Sequence, residues 1–404
     1  MILKVGDKRY NLVGIWYGIV ALVYFKPGIT EDIHVLDFTF NLLRISLSIV
    51  FIFLYFLKYK KINSTWLLIL LLFLTTMTMT VIFHGSYSKT ISHYIPGLGL
   101  LAFTGIVKNK MKLFINSSIF VGTFLIIVNF ISFLMFPNGI LFRESAGTWV
   151  WILGQKQDVC MVIFPVILLT ILRSYVYNDK KLKLFKYMFV LSLLTTLLEG
   201  SLGVVICLSI LGFLLILDKR INIKINKNVL ISLVVIIFAL IQYISYTFDK
   251  QVALQTFLNS LQTGGVKNKL FTVSTRFSMW SFAWNIFLKY PLTGVGDLSI
   301  DMWKQLSGFT WYHSIMDNLY MDIILNSGII GIILFLTIVN NNFKIISEQW
   351  NVVYCRMLGY LLFSLCILFL ESSPFGAWII FQLCAPLWLP YISNSVRGTN
   401  GNEK

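Results

Sequence analysis

Charged residues are scarce in this chain of 404 residues. They make up 12% of the sequence, hydrophobic residues make up 57%, and the mean hydropathy is +0.80. A soluble protein carries about twice that share of charge. Apolar runs of about 20 residues recur along the chain, which is the length of a helix that crosses a bilayer. The composition therefore excludes an ordinary soluble protein and predicts an all-α polytopic membrane protein.

Familiar motifs are also missing. No stretch shows the apolar–polar alternation of a transmembrane β-strand. The five cysteines have no CxxC spacing, so they predict small buried residues rather than disulfides or metal ligands. No P-loop, GxGxxG or HExxH motif occurs, which leaves direct ATP hydrolysis without support.

The apolar pattern predicts about twelve spans. They run roughly over 11–25, 39–57, 64–83, 91–107, 114–135, 157–173, 186–200, 203–217, 229–248, 316–339, 353–370 and 376–392. The run 186–217 exceeds the length that one span needs, and Glu199-Gly200-Ser201 in its middle predicts a tight turn between two short helices. One tilted helix there would reduce the count to eleven.

The placement of positive charge decides between these counts. Most of the 33 Lys and Arg residues fall in alternate connecting segments only if 186–217 crosses twice. The positive-inside rule then puts both termini in the cytoplasm and places 136–156 and loop 249–315 outside. The net charge of +16 follows this membrane topology, so it does not indicate nucleic-acid binding. Residues 1–404 are predicted to form a single integral membrane domain.

Loop 249–315 is the longest interruption between apolar segments. Residues 277–290 repeat apolar positions at helical spacing, which predicts an interfacial helix on the outer leaflet. Arg276 precedes this helix, Pro291 ends it, and Gly294-Val295-Gly296 predicts a flexible turn.

The end of this loop carries the polar residues best suited to chemistry. His313 and Asp317 are four residues apart, so on a helix they share a face and Asp317 could orient the imidazole as a base. Asn318 is adjacent, and an ordinary helix N-cap is the alternative reading of all three. Trp311 and Tyr312 suit stacking on sugar rings, but such rings also form membrane aromatic belts.

Two other predicted outer segments combine charge with glycine. Arg143 and Lys156, within 142–158, suit a diphosphate because guanidinium pairs two oxygens and a helix start adds backbone donors. A solvated loop with snorkelling cations is the alternative. Glu199 either faces a cavity or partner, or sits solvated at the interface.

Other polar residues and glycines lie inside or beside the spans, and their neighbours in the sequence say less about a function. Arg44 in the second span is either a snorkelling cation or a ligand of a buried anion. His93 lies at the edge of a predicted outer loop. Asn326, Gly328 and Gly331 predict close helix packing.

These residues resemble the O-antigen polymerase and ligase superfamily. The strongest similarity runs through Arg276, Trp280-Ser281-Phe282-Ala283-Trp284, Tyr290-Pro291-Leu292-Thr293-Gly294-Val295-Gly296, His313 to Asn318, and Asn326-Ser327-Gly328-Ile329-Ile330-Gly331. Weaker similarities cover Arg143 to Gln157 and Thr196 to Gly203. Where many members have His-Asn, this chain has Asp317-Asn318. Capsule and exopolysaccharide polymerases of the superfamily often carry Asp-Asn, which favours a polymerase over a ligase.

The resemblance implies a GT-C-like membrane glycosyltransferase that joins undecaprenyl-diphosphate-linked repeat units on the outer face of a bacterial cytoplasmic membrane. It implies that Arg276 and Arg143 neutralise the diphosphate and that His313 or Asp317 accepts the proton of the attacking hydroxyl. Substrate contacts are expected from Lys156, Glu199, Asn318, Trp311 and Tyr312. The lipid diphosphate is already a good leaving group, so neither a metal nor another cofactor is expected.

The expected partners are the lipid-linked oligosaccharide, membrane lipids, and a flippase and a chain-length regulator. Two alternatives stay open. A ligase would transfer finished glycan to another acceptor with the same residues. A flippase or transporter would favour mid-span charges, inverted repeats and broken helices, whereas here the charges concentrate at the predicted outer ends.

Overall fold

A computed structural model of the protein describes residues 2–5, 8–59, 64–143, 148–156, 158–179, 181–221, 226–247, 279–307, 318–369 and 377–384. These residues are predominantly helical. The first six helices are α1 Leu12–Phe25, α2 His34–Tyr59, α3 Ser64–Ile82, α4 Tyr87–Ile106, α5 Met111–Met135 and α6 Cys160–Val176. The next three are α7 Lys183–Glu199, α8 Leu202–Ile216 and α9 Lys227–Thr247. The last are α10 at 279–289, α11 Ile300–Ser307, α12 Leu319–Glu348, α13 Val353–Leu368 and α14 Ala377–Cys384.

Five helical stretches of the described chain are long and apolar enough to cross a membrane. They are His34–Tyr59, Ser64–Ile82, Lys108–Met135, Leu202–Lys219 and Leu319–Glu348. Shorter apolar helices cover Leu12–Phe25, Cys160–Val176, Asn228–Ile237 and Val353–Leu368. This pattern confirms a polytopic membrane protein. The count of twelve spans and the GT-C-like architecture stay predictions.

Helix α6 lies at the centre of the bundle. Its apolar residues are buried almost throughout its length, and it packs against α5, α7, α13 and α14. Around this centre α2 packs on α4, α1 on α5, and α3 on α12. The approach of α2 to α4 is close, since a side chain at Gly99 would collide with Ser48. Large apolar side chains also lie on the outside of the bundle, as expected for a surface in contact with lipid. Val35, Phe38, Phe53 and Phe120 are all more than 60% exposed.

The apolar run 186–217 is two helices. Helix α7 ends at Glu199, Gly200 takes the left-handed conformation (φ 69°), and α8 begins at Leu202. Glycine reaches this conformation at little cost, so it ends a helix readily. The two helices pack against each other, and the predicted turn at 199–201 is confirmed.

Within the described residues, the structure adds two small hairpins that the apolar pattern did not indicate. Strand β1 (Ile2–Val5) pairs antiparallel with β2 (Lys8–Asn11), and β3 (Leu141–Arg143) pairs antiparallel with β4 (Thr148–Val150). The β3–β4 hairpin lies in the connection between α5 and α6, and it fixes the position of Arg143, opposite Thr148.

Candidate functional site

Helix α12 begins at a polar cap. Asn318 is fully buried, and its side-chain oxygen accepts hydrogen bonds from the backbone amides of Tyr320 (3.0 Å) and Met321 (3.2 Å). The amide of Leu319 donates to the carbonyl of Phe369 at 2.8 Å. Among the described residues, the side-chain nitrogen of Asn318 has no hydrogen-bond partner. Asn318 is therefore an N-cap that keeps one buried donor, and its predicted contact with substrate stays a prediction.

Five of the predicted site residues lie outside the described residues: Arg276, Trp311, Tyr312, His313 and Asp317. Their roles stay predictions. Residues 308–317 lie outside the described residues. The structure describes the segments on both sides of them, which are 279–307 and the start of α12.

Helix α12 is broken at Gly328, whose φ of 59° and ψ of −150° are not helical. The segment 291–296 fills the break. Four backbone hydrogen bonds join the two: Val295 N to Leu325 O (2.8 Å), Gly296 N to Asn326 O (3.0 Å), Ile329 N to Pro291 O (2.8 Å) and Ile330 N to Leu292 O (3.2 Å). Unpaired backbone groups are costly within a membrane, and this segment pairs those that the break would leave open.

The fit depends on glycine at two points. At Gly328 a side chain would meet the backbone of Leu292 at 2.6 Å, and at Gly296 (φ 74°) it would collide with the backbone of Thr80. One interpretation of the sequence was therefore wrong, because residues 294–296 are held by backbone hydrogen bonds, as a pinned segment, rather than forming a flexible turn. The close packing predicted at Gly328 is present, against the backbone of Leu292, and Gly328 in addition breaks its helix.

A small hydrophobic core joins the loop to the predicted outer half of α12. It consists of Met279, Trp280, Phe282, Ala283, Ile286, Val295, Leu298, Trp303, Met321, Ile324 and Leu325. Helices α10 and α11 thus bury one face against α12. The predicted interfacial position of residues 277–290 remains a prediction; the structure has a helix at 279–289 with a partly exposed side that includes Leu288.

Asp297 follows the pinned segment and is fully buried. Its Oδ2 accepts from the hydroxyl of Thr90 at 2.7 Å, and its Oδ1 accepts from the side-chain amide of Asn326 at 3.1 Å. Lys89 Nζ is 3.5 Å from Oδ1, and His93 Nδ1 is 4.0 Å from the same oxygen. A buried carboxylate must be paired and hydrogen-bonded. Asp297 finds its partners on α4 and α12, so it connects the loop to both helices.

Sequence reasoning missed Asp297. Its partners are distant along the chain: its backbone amide donates to the hydroxyl of Thr80, and Thr90 is more than 200 residues away. The available signal was a single acidic residue directly after Gly294-Val295-Gly296, in a chain where acidic residues number only 17.

Arg143 is held by acidic residues of the turn after α1. Its Nε donates to Asp32 Oδ1 at 2.6 Å and its Nη2 to Asp32 Oδ2 at 2.7 Å, while Nη1 is 3.5 Å from Glu31. Hydrogen bonding to Asp32 raises the pKa of Arg143 further above its ordinary value. This geometry is the bidentate fork that arginine also uses for phosphate. Diphosphate binding by Arg143 stays a prediction, and it requires a ligand that competes with Asp32.

Asp158 closes the turn before α6. Its Oδ2 accepts from the backbone amide of Gln155 at 2.9 Å, and a side chain at Gly154 would collide with the same oxygen. Burial raises the pKa of Asp158 to about 6, with the negative charge of Glu31 as the next cause. The turn therefore carries a carboxyl group that binds a proton more readily than an ordinary aspartate.

Glu199 is buried, with 2% of its surface exposed. The side-chain amide of Asn129 donates to its Oε1, and the amide oxygen of Asn129 accepts from the backbone nitrogen of Leu153 at 2.8 Å. Among the described residues the other oxygen, Oε2, has no hydrogen-bond partner. Lys156 is exposed, and its Nζ would lie 3.8 Å from a side chain at Gly200. The solvated alternative for Glu199 was wrong, and Asn129 is a further residue that the sequence did not indicate.

The candidate-site residues that the structure describes thus gather at the helix ends that the topology predicts to be outer. They form two groups: Asp297 with Lys89 and His93, and the α5–α6 connection with Glu199. Both groups offer cations and hydrogen-bond donors beside buried carboxylates, which suits recognition of an anionic, hydroxyl-rich ligand.

A family model described as O-antigen ligase matches residues 187–336. The match begins in α7 and ends in α12, so it includes the pinned segment, Asp297 and the broken helix. This match confirms the predicted resemblance to the O-antigen polymerase and ligase superfamily over that part of the chain. No curated protein matches the chain.

Proposed function

We propose, from the similarity of residues 187–336 to the O-antigen ligase family, that the chain is a polysaccharide polymerase. It joins undecaprenyl-diphosphate-linked oligosaccharide repeat units on the outer face of a bacterial cytoplasmic membrane. The product is a capsule, exopolysaccharide or O-antigen chain.

The observation that carries this proposal is the anchored loop. The family match covers a loop whose segment 291–296 is fixed into α12 by four backbone hydrogen bonds. Catalytic groups need a rigid frame, because small displacements of reacting groups cost large factors in rate. Asp317 directly precedes the buried cap Asn318 and His313 lies five residues before it, so in the sequence both candidate bases are close to this frame.

In the proposed reaction a hydroxyl of the acceptor repeat unit attacks the anomeric carbon of the donor glycan. The new glycosidic bond forms as the bond from that carbon to the lipid diphosphate breaks. The hydroxyl proton passes to His313 or Asp317. Arg276 stabilises the negative charge that develops on the departing diphosphate, and Trp311 and Tyr312 stack on sugar rings.

A ligase is the second candidate, because the matching family model is described as O-antigen ligase. The two activities differ in product. Deletion of a polymerase gene leaves single lipid-linked repeat units, and deletion of a ligase gene leaves long lipid-linked chains. We expect single units from the deletion strain, read by electrophoresis and mass spectrometry of extracted lipid-linked glycans. Accumulated long chains would reject the polymerase.

The break in α12 bears on the transporter alternative. Transporters expose the unpaired backbone groups of broken helices to substrate or ions. Here the protein's own segment 291–296 occupies the four backbone groups beside Gly328. This favours a structural anchor over an ion site at the break.

The catalytic assignment can be tested by three variants. Arg276→Ala should leave the protein in the membrane and stop chain growth. Of His313→Ala and Asp317→Asn, the variant that removes the base should have the same effect. General-base removal costs about 10²–10⁴ in rate. Lys289→Ala, at an exposed lysine of α10, is the matched control. Normal polymer from both His313→Ala and Asp317→Asn would reject this catalytic assignment.

A further inference from the structure

Lys89 and His93 stand one helical turn apart on α4, beside the buried carboxylate of Asp297. The Lys89 side chain is 20% exposed, the His93 side chain is 28% exposed, and Asp297 is fully buried. Residues four apart on a helix share a face. The side chains of Lys89 and His93 therefore both approach the carboxylate of Asp297, and part of each side chain is exposed to solvent.

The hydrogen-bonding needs of Asp297 are largely met without them. Thr90 and Asn326 already donate to its two oxygens, at 2.7 and 3.1 Å. Lys89 balances its single negative charge at the longer distance of 3.5 Å. His93 then adds donor capacity that this carboxylate does not require.

Arg44 of α2 adds a further positive charge. It lies one helical turn before Ser48, where α2 makes its close approach to Gly99 of α4, the helix that carries His93. Its Nη2 donates to Asn41 at 3.3 Å, and its Nε is buried with no hydrogen-bond partner among the described residues. A buried donor without a partner calls for an explanation, and an ionisable residue inside a span marks a functional site by default.

The acidic groups near this site have other tasks. Asp37 is 2.8 Å from Lys26, and Glu31 is 3.3 Å from the same lysine. Asp322 lies in the first turn of α12, where a carboxylate complements the helix dipole. Asp37 is linked to Arg44 only through Asn41, whose side-chain amide donates to Asp37 at 3.1 Å. Among the described residues the buried Nε of Arg44 therefore remains a donor for an anion.

We infer that Arg44, Lys89 and His93 form an anion-binding subsite that takes a phosphate group. A phosphate offers several oxygens to a lysine, an arginine fork and an imidazole N–H at once. The inference rests on the proposed polymerase function, whose two substrates both carry a diphosphate. Only the donor diphosphate departs. The acceptor diphosphate needs a place to bind but no chemistry, and this cluster provides it.

The test uses full-length protein in nanodiscs of phosphatidylcholine, titrated with undecaprenyl diphosphate, inorganic pyrophosphate and undecaprenol. Wild type should bind two equivalents of undecaprenyl diphosphate. The double variant Lys89→Gln with Arg44→Gln should lose one of them, with affinity at that site about tenfold or more weaker. Lys304→Gln, at an exposed lysine of α11, should bind both. A single equivalent in wild type, or two in the double variant, would overturn the subsite.

The other ligands separate the sources of phosphate. Undecaprenol should not occupy the site. Pyrophosphate that displaces one equivalent of lipid shows that a free diphosphate suffices, and failure to displace it assigns the site to the lipid headgroup; both outcomes support an anion subsite. Displacement by undecaprenol would overturn it, because the site would then recognise the chain rather than the charge.

A second measurement needs no variant. An amine-reactive ester modifies wild-type protein, and mass spectrometry reads the extent at each lysine. Undecaprenyl diphosphate should protect Lys89 and leave Lys304 reactive, and equal labelling of Lys89 with and without ligand would contradict the inference.

Binding is read without turnover, so the two proposals fail separately. If Arg276→Ala stops chain growth while the double variant keeps both equivalents, only the subsite fails. Unchanged polymer in the deletion strain would remove the polymerase while the binding result stands.

Discussion

Two arginine–carboxylate pairs connect distant parts of the chain, one on each predicted side of the membrane. Arg356 donates from Nε to Asp218 Oδ1 at 2.9 Å, and each side chain is 6% exposed. Arg143 pairs with Asp32 at 2.6 and 2.7 Å, and the side chains are 15% and 13% exposed. The chemistry is the same, but the surroundings differ.

The difference in surroundings separates structure from function. Arg356 also donates to the carbonyls of Trp350 and Asn351, both at 3.0 Å, so its fork is largely occupied within the bundle. Arg143 keeps a partly exposed guanidinium at the predicted outer rim. A buried pair that loses one partner leaves an unpaired charge, whereas a partly exposed pair can exchange its partner for water or ligand.

The largest effect is expected from Arg356→Ala. It leaves Asp218 buried without its counter-ion, which costs about 3–5 kcal/mol. The fall in free energy of unfolding should be visible as a lower melting temperature of the purified protein. Lys344→Ala, at an exposed lysine on the same predicted side, is the control. Arg356→Met combined with Asp218→Leu should recover most of the stability, and a double variant as unstable as the single one would show that geometry rather than charge is at stake.

The Arg143–Asp32 pair should show a smaller effect that discriminates between two roles. If Arg143 only holds the β3–β4 hairpin, Arg143→Gln and Asp32→Asn lose equal stability, and the double variant loses no more than either. The coupling energy should then be about 2 kcal/mol. If Arg143 binds diphosphate, Asp32→Asn frees the fork and chain growth continues, while Arg143→Gln stops it. Chain length in cells and thermal unfolding of the purified variants read the two roles separately.

Asp158 should give a pH dependence on the outer side that has no counterpart at Arg356. Its folded pKa of about 6 is above the ordinary value of 3.8. The folded state therefore holds the proton more tightly, and this contribution is present at low pH and is lost as pH rises from about 4 to about 6. The loss is about 1–2 kcal/mol once partial exposure is allowed for. Melting temperatures at pH 4.5 and 6.5 should show this loss in wild type but not in Asp158→Asn; equal pH profiles would contradict the assignment.

Local patterns were enough to locate the helices. Apolar runs predicted α3 and α13 almost to the residue, because helix length in a membrane is set by the bilayer. The turn at Glu199-Gly200 was also local. Positive φ at Gly200 is a property of one residue and its neighbours.

Long-range contacts were not accessible in the same way. Arg143 and Asp32 are 111 residues apart, and Thr80 meets the backbone of Asp297 across 217 residues. Periodicity carries no information about such pairs. The pinned segment was misread for the same reason, since glycines that predict a flexible turn locally can equally admit a close backbone. Its partners lie in α12, where Gly328 opens the helix.

The smallest effect is expected from Glu31→Gln. Its side chain is 46% exposed, and it lies 3.5 Å from Arg143 and 3.3 Å from Lys26. Each cation has a closer carboxylate, Asp32 at 2.6 Å and Asp37 at 2.8 Å. Removing the charge should therefore cost about 0.5 kcal/mol or less and should matter less at high salt. Thermal unfolding could instead show a loss as large as that of Asp32→Asn. The outer network would then depend on summed negative charge rather than on the bidentate geometry of Asp32. The contrast with Arg356 would then rest on charge alone.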